Sequence, residues 1–599
     1  MRERTSQVLA GFENEIRAET LDDVREVVRH AEEVARGGLF VAGYVSYESA
    51  PAFDRGLKVR DRDANWCAKL PLAWFGFYRE SVITALQLPR DIRGSERARW
   101  SSKVSKEAYL SNVHSILGDI AAGTVYQVNL TNSINSDNPG DHRSLYRQLL
   151  MAQEPAYGAL LELDGIAVVS ASPELFIEWD GTALRSRPMK GTIRRGRWPE
   201  EDNELARELS ESLKETAENV MIVDLIRNDM GKVAAVGTVN VSKMCALEAF
   251  PNVWQLVSEV ECVTRPATQL LDIFTAMFPC GSVTGAPKQS AMNIIEELEQ
   301  SERGVYCGAI GLLSPSPRGV HARFNVAIRT AVVDQRGGQA RFGSGGGIVA
   351  ASQPESEYRE MILKADMLNT VSPRPFRLLE TFRHSPGSAN DNLARHLDRL
   401  THSAEFFGFR VRPDLAAWVA SKLNNVDDEA RVRLLLSRGG KLELQCAPAP
   451  EPRQTPVQLM VDEDPVFSDS IMLFHKTTRR DVYMKRRRRF PQADDVIMVN
   501  ERGECTEVTI ANLAVRQGAT WFTPPLSSGC LPGIERARLI EQGELVETTI
   551  TLEDLRCCDA VAVVNSLRGW QDAVVIGEFS TSSSDVPSPT APSRQMSTL

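Results

Sequence analysis

Two prolines within Val371-Ser-Pro-Arg-Pro375 cut the chain between a charged helical segment and a new apolar run, Leu378-Leu-Glu-Thr-Phe382. A helix cannot continue through them, so whatever lies on either side must build its own core. Both sides mix strand-like runs (ALLELDGIAVVSAS; AVAVVNS) with helical ones and show no repeat of fixed period. That pattern predicts an α+β chain of two domains, and 599 residues give room for two large domains with subdomains. We place a first domain at 1–370, with a subregion at 1–100 and a core at 104–370, a linker at 371–375, and a second domain at 376–575. Residues 577–599, almost without large apolar side chains, read as a disordered tail.

Composition narrows the function. Hydrophobic residues at 42% and charged residues at 25% are those of a globular protein, and the net charge of -10 offers no basic field for coating nucleic acid. Ten cysteines form no CxxC pair, and eight histidines form no HExxH, so neither a disulfide framework nor a cysteine or histidine metal site is expected. The N-terminus is charged where a signal peptide is apolar, and no apolar run approaches the ~20 residues of a spanning helix. The expectation is a cytoplasmic protein with no membrane partner. The basic run Lys485–Arg489 reads as a solvated helix face.

Leu205, Leu209, Leu213, Ala217 and Met221 stand at four-residue steps and predict one helix over 204–222, with Glu218 at the edge of its apolar stripe. Ser352-Gln-Pro-Glu355 has capping-box spacing and announces another helix. On it Glu357, Glu360 and Lys364 share a face at i, i+3 and i+7. Two carboxylates on one face, joined by Glu218 from elsewhere, would suit Mg2+; a solvated acidic face is the alternative. Gly343-Ser-Gly-Gly-Gly-Ile348 could bring backbone N–H groups close to an anion. Thr284-Gly-Ala-Pro-Lys288 opens a helix whose N-terminus and lysine would favour a carboxylate ligand, or is simply a helix start.

The order and wording of these segments resemble the chorismate-utilising enzyme family over nearly all of 1–370. The resemblance runs through AAGTVYQVNLT, SPELF, RPMKGTIRRG, AENVMIVDLIRND, CGSVTGAPK, YCGAIG, FNVAIRT and GSGGGIVAASQPESEYRE. It implies a sandwich of large antiparallel sheets flanked by helices, with chorismate as substrate and Mg2+ as cofactor. It also implies Glu218, Glu357 and Glu360 as metal ligands and Glu174 as general acid/base. Gln127, Thr284, Tyr306, Arg329, the Gly345, Gly346 and Gly347 backbone, and Lys364 would line the substrate. Lys190, in PMKGT, resembles the lysine of members that form 4-amino-4-deoxychorismate, where it attacks ring carbon 2 and displaces the 4-hydroxyl. Gln127 stands where isochorismate-forming members place a water-activating lysine, and Gln255 where anthranilate-forming members show histidine. With no GxCxGxQ-like elbow in the chain, ammonia would come from solution or from a glutamine amidotransferase subunit.

Residues 376–575 resemble class IV pyridoxal-phosphate enzymes through LLETFR, ARHLDRLTHSAEFFGF, HKTTRRDVY, DDVIMVNERGECTEVTIANLAV, GCLPGIERARL and VVNSLRG. The resemblance implies that Lys476 carries pyridoxal 5'-phosphate, Arg399 and the Gly533-Ile534 backbone hold its phosphate, and Glu507 pairs with its ring nitrogen. Thr381 would handle protons beside the substrate, and the domain could pair into a homodimer. Together the two resemblances imply synthesis of 4-aminobenzoate from chorismate and ammonia, with pyruvate released in the second reaction. An amino-acid aminotransferase or a degenerate interaction module is the alternative for the second half, and an anthranilate synthase for the first.

Overall fold

The computed structural model describes residues 5–62, 70–85, 98–153, 155–250, 253–368, 375–387 and 392–577. Of the expected linker, 371–374 lie outside the described residues, as does the tail from 578. The chain divides into two compact units, Met1–Gly196 with Asp202–Arg374, and Arg197–Glu201 with Pro375–Leu599.

In the first unit, ten strands form one antiparallel sheet and seven form a second. The strand Ile166–Ser172 is buried at every position, which explains its unbroken apolar and small-residue run rather than an alternating one. Its Ile166 and Val168 pack with Val332 of the same sheet against Tyr44, Trp74 and Ile310 of the larger one, so the sheets meet face to face. Helix Leu21–Arg36 starts at a Thr20/Asp23 capping box and buries Val24, Val28, Ala31 and Ala35, a 3.6-residue stripe. It joins a core with Phe75, Phe274 and Phe324, each of which contributes about 1.5–3 kcal/mol by leaving water.

The single helix expected at 204–222 is two helices, Pro199–Glu211 and Leu213–Gly231. Ser212 separates them by accepting the Glu215 N–H at 3.3 Å, and Leu213 is 88% exposed. The error is geometric: exact four-residue steps advance by about 40° each, so a long series leaves one face. The second helix instead buries Asn219, Ile222, Val223, Ile226 and Met230. The capping box at Ser352 is also absent. Helix Pro354–Ala365 has Gln353 at its N-cap, and the Ser352 hydroxyl turns back to accept the Val349 N–H at 3.1 Å.

The second unit contains a three-stranded antiparallel sheet (Leu378–His384, Ala430–Leu436, Leu442–Pro448) and an eight-stranded mixed one. Helix Leu393–Phe407 lays Leu397, Leu400 and Ala404 on Leu378, Phe382, Val432 and Leu434. It ends at Gly408, whose φ of 66° is the left-handed cap that glycine adopts without strain. In the mixed sheet Val457–Val466 runs parallel to Asp495–Asn500 and to Gly569–Val575.

The basic run is a solvated face at Lys485, Arg488 and Arg489, which are exposed, but not at Arg486. Arg486 is buried and donates to the carbonyls of Asp464 and Pro465 at 2.9 and 3.0 Å, while Arg489 reaches Asp462 at 2.7 Å and Asp464 at 2.8 Å. Arg486 and Arg489 thus face the neighbouring strand Val457–Val466. No described helix is long and apolar enough to cross a membrane, and the described cysteines are free thiols.

Candidate active sites

In the first unit, the glycine run lies on the strand Gln339–Val349, where Gly345, Gly346 and Gly347 pair with Thr131, Leu130 and Asn129. A Cβ at Gly346 would stand 3.5 Å from Lys364 Nζ, 3.6 Å from Glu357 Oε2 and 3.9 Å from Glu360 Oε1; one at Gly347 would collide with the Gln127 amide and lie 3.3 Å from Lys190 Nζ. The missing side chains therefore form the floor of a pocket on which the sequence-singled lysines and carboxylates converge. Gln127 is buried, and neither atom of its amide has a partner among the described residues, an orphan that a polar ligand would satisfy.

Lys190 is placed by the strand Met189–Arg194, which bulges at Gly191 (φ 79°). Its Nζ donates to the Ser282 carbonyl at 3.2 Å. Ser282 also acts on Glu174, holding its carboxyl down, so one residue unnoticed in the sequence influences both lysine and carboxyl. Burial pushes Glu174 up to about 7, against the pull of Ser282, Lys190 and Arg329. Its Oε1 is buried with no hydrogen-bond partner among the described residues. Arg329 holds a left-handed backbone (φ 52°), its guanidinium on Gln153, and burial lowers it to about 10. Tyr306 packs beneath Gly343.

Glu218 and Glu357 are both raised chiefly by burial, Glu218 to about 7 with help from Glu215 and Glu357, and Glu357 with help from Glu360. Glu360 is lowered because Lys364 stands 2.7 Å away, and Lys364 also donates to the Gly345 carbonyl at 2.9 Å. Glu215, one turn before Glu218 on the same helix, adds a fourth carboxyl that interacts with Lys190 and Glu360. The i, i+3 spacing from Glu218 was the available signal for it. As the side chains stand, no three carboxylates among the described residues converge as metal ligands. The donor set nevertheless fits a hard dication, because hard oxygen ligands abound and their mutual repulsion is relieved by one.

The Thr284 carbonyl accepts the Asn129 N–H at 2.8 Å, beside the glycine strand. The Thr284 hydroxyl donates to the Cys280 carbonyl at 3.2 Å, and Lys288 pairs with Asp229 at 2.7 Å and with the Met277 carbonyl at 3.0 Å. The carboxylate this lysine serves is the protein's own. Gln255, also buried, donates to Thr192 at 3.2 Å.

We expect Gly347→Ala to raise KM for the substrate by about tenfold or more with little change in Tm, since its Cβ meets the end of a side chain and not backbone. Steady-state kinetics with thermal melting checks this, and an unchanged KM would remove Gly347 from the pocket floor.

In the second unit, Lys476 is half-buried, and its carbonyl accepts the Leu379 N–H at 2.9 Å. Burial and then the Arg399 charge lower its amine to about 8, so a neutral amine is accessible near physiological pH. Arg399 donates to the Pro532 carbonyl at 2.7 Å. The next residue, Gly533, caps helix Ile534–Glu541, and a Cβ there would collide with Asn512 Oδ1. Asn512 in turn donates to the Leu531 carbonyl at 2.9 Å and to Glu507 at 3.4 Å, while Tyr483 donates to Glu507 at 3.0 Å. A guanidinium and a helix N-terminus fit a phosphate, and a buried carboxyl pushed up to about 7 fits a protonated ring nitrogen. Thr381 stands on the strand face opposite Glu380, with no hydrogen bond described for its hydroxyl; Glu380, unremarked in the sequence, is the neighbour that reaches Arg399, at 2.9 and 2.7 Å.

Carboxyls, a lysine and bare glycine backbone thus converge within an antiparallel sandwich. The chain belongs to the chorismate binding enzyme family, whose match spans residues 2–370. Residues 377–576 match the amino-transferase class IV family. Aminodeoxychorismate synthase component 1 of Escherichia coli is 39% identical over 269 residues, 45% of this chain and 58% of that protein. Its counterpart from Bacillus subtilis is 35% identical over 309 residues, covering 52% and 62%. Anthranilate synthase component 1 of Thermus thermophilus is 42% identical over 276 residues, covering 46% and 59%. The chain thus spans about three-fifths of the length of the curated relatives it matches. Anthranilate synthase component I of Streptococcus pneumoniae shares the fold, at TM-score 0.54 and 24% identity over 62% of this chain and 93% of that one.

Proposed function

We propose that the chain makes 4-aminobenzoate in two steps: chorismate and ammonia give 4-amino-4-deoxychorismate, which then loses pyruvate. The observation that carries the reading is Lys190, whose Nζ lies against the glycine floor and the Ser282 carbonyl. Identity alone does not choose, since synthases of both kinds match at 35–42%. A nucleophilic amine at this place does, because amination at carbon 4 with retention of the enolpyruvyl group needs a temporary occupant of carbon 2.

Arg329, Tyr306 and Lys364 orient the substrate's carboxylates over the glycine backbone. Glu174, protonated, supplies the proton to the departing 4-hydroxyl while Lys190 attacks; ammonia then adds at carbon 4 and expels the lysine. Glu218, Glu357 and Glu360, with Glu215 near, would hold Mg2+, which would supply Lewis-acid stabilisation of developing negative charge. The relatives named component 1 support a second component as the ammonia donor.

In the second unit Lys476 would hold pyridoxal 5'-phosphate and move the proton at the amine-bearing carbon, while Arg399 and the Gly533-Ile534 backbone would hold the phosphate and Glu507 would pair with the ring nitrogen. The cofactor supplies an electron sink for that proton transfer. Aromatisation drives release of pyruvate.

Glu174 gives the first step a signature in pH. A carboxyl at about 7 is protonated below that value, so at saturating Mg2+ kcat/KM for chorismate should fall as pH rises through about 7. Glu174→Gln should lose that inflection; a variant with an unchanged profile contradicts the acid role.

The experiment that tests the first assignment is product analysis of cofactor-stripped protein with chorismate, ammonium and Mg2+. Accumulated 4-amino-4-deoxychorismate supports it. Anthranilate and pyruvate would overturn it in favour of the other synthase.

A further inference from the structure

We propose that Glu380, braced by His396, is the positioning residue that locks Arg399 for its grip on a phosphate group. The inference rests on the reading of the second unit as a pyridoxal-phosphate site.

Along Leu378–His384 the side chains of Leu378, Glu380 and Phe382 share one face, and the two apolar ones enter the core with Leu397 and Leu400. Glu380 therefore stands in an apolar layer at 1% exposure, where a lone carboxylate would be costly. It is not alone. Arg399 forks onto it, Nε to Oε1 at 2.9 Å and Nη2 to Oε2 at 2.7 Å, and His396, one turn earlier on the same helix, meets Oε2 from Nδ1 at 2.7 Å. These partners hold Glu380 ionised, at about 2, although burial works the other way. Burial keeps His396 below its ordinary range, so the ring is neutral and donates from Nδ1–H.

The arrangement fixes what Arg399 has left. Of five guanidinium N–H groups, two go to Glu380 and one to the Pro532 carbonyl at 2.7 Å. Two remain, on Nη1 and Nη2. Pro532 immediately precedes the Gly533 cap of helix Ile534–Glu541, so those N–H groups lie beside a helix N-terminus that also favours an anion. An arginine free to rotate loses side-chain entropy on gripping a phosphate; one already forked on Glu380 has lost it in folding. Thus the acidic residue of LLETFR acts through the guanidinium and not on the substrate.

The test uses full-length protein stripped of cofactor, titrated by absorbance with pyridoxal 5'-phosphate and separately with pyridoxal, which lacks the phosphate. Glu380→Gln should weaken the phosphorylated form about tenfold or more while pyridoxal binding changes by less than about twofold. In an Arg399→Ala background the same substitution should add less than about twofold, because its effect passes through Arg399. If Glu380→Gln does not fold by circular dichroism, His396→Gln carries the comparison and should show the same phosphate-selective loss. Equal weakening of both ligands, no weakening of either, or losses that multiply in the double variant would overturn the proposal. Wild-type protein that takes up no pyridoxal 5'-phosphate on Lys476 would overturn the underlying reading, and the proposal with it. Normal wild-type uptake with an unaffected variant overturns the proposal alone.

Discussion

Lys190→Ala should leave the chain folded and binding chorismate yet lower 4-amino-4-deoxychorismate formation by more than about a thousandfold. The size of the effect follows from the chemistry: without an amine to occupy carbon 2, the 4-hydroxyl has no displacement to drive it out. Folding should survive, because Lys190 is only partly buried and its one described hydrogen bond, to the Ser282 carbonyl, is replaceable by water. Mass spectrometry of wild-type protein given chorismate and Mg2+ but no ammonia should reveal a covalent adduct at Lys190, absent from the variant. An adduct on another residue, or undiminished product from the variant, would remove Lys190 from the nucleophile's role.

Lys476→Ala should lower the second reaction by at least about a hundredfold, the usual contribution of a positioned general base, while the first reaction continues. The variant should therefore accumulate 4-amino-4-deoxychorismate from chorismate and ammonium. It should keep some pyridoxal 5'-phosphate, since Arg399 and the helix start at Gly533 do not depend on the lysine. The amine held near 8 by burial and the Arg399 charge is what suits Lys476 to take a proton at neutral pH. Borohydride reduction of wild-type protein followed by peptide mapping should place the label on Lys476; a label on another lysine contradicts the assignment.

The parts of both sites legible in the sequence are those in which spacing dictates geometry. Glu357, Glu360 and Lys364 had to share a helix face, and they do, whereas the glycine run, read only as backbone open to an anion, lies within the strand Gln339–Val349. Residues that act through long-range contacts were illegible. Nothing local marks Ser282 as the link between Lys190 and Glu174, 92 and 108 positions away, or Glu380 as the partner of Arg399. Local patterns also misled where a competing partner existed. Asp229 captured Lys288, and Asp462 and Asp464 captured Arg489 of the basic run. Fold class survived these errors because alternation and apolar runs, summed over many strands, outweigh any single cap or charge.

The most direct test of the account is stoichiometry from one purified chain. Given chorismate, ammonium, Mg2+ and pyridoxal 5'-phosphate, with no other enzyme and no 2-oxoglutarate, the protein should release 4-aminobenzoate and pyruvate in equal amounts. Formation of 4-amino-4-deoxychorismate that is never converted, anthranilate in place of 4-aminobenzoate, or a requirement for 2-oxoglutarate would each contradict the claim that both reactions belong to this chain.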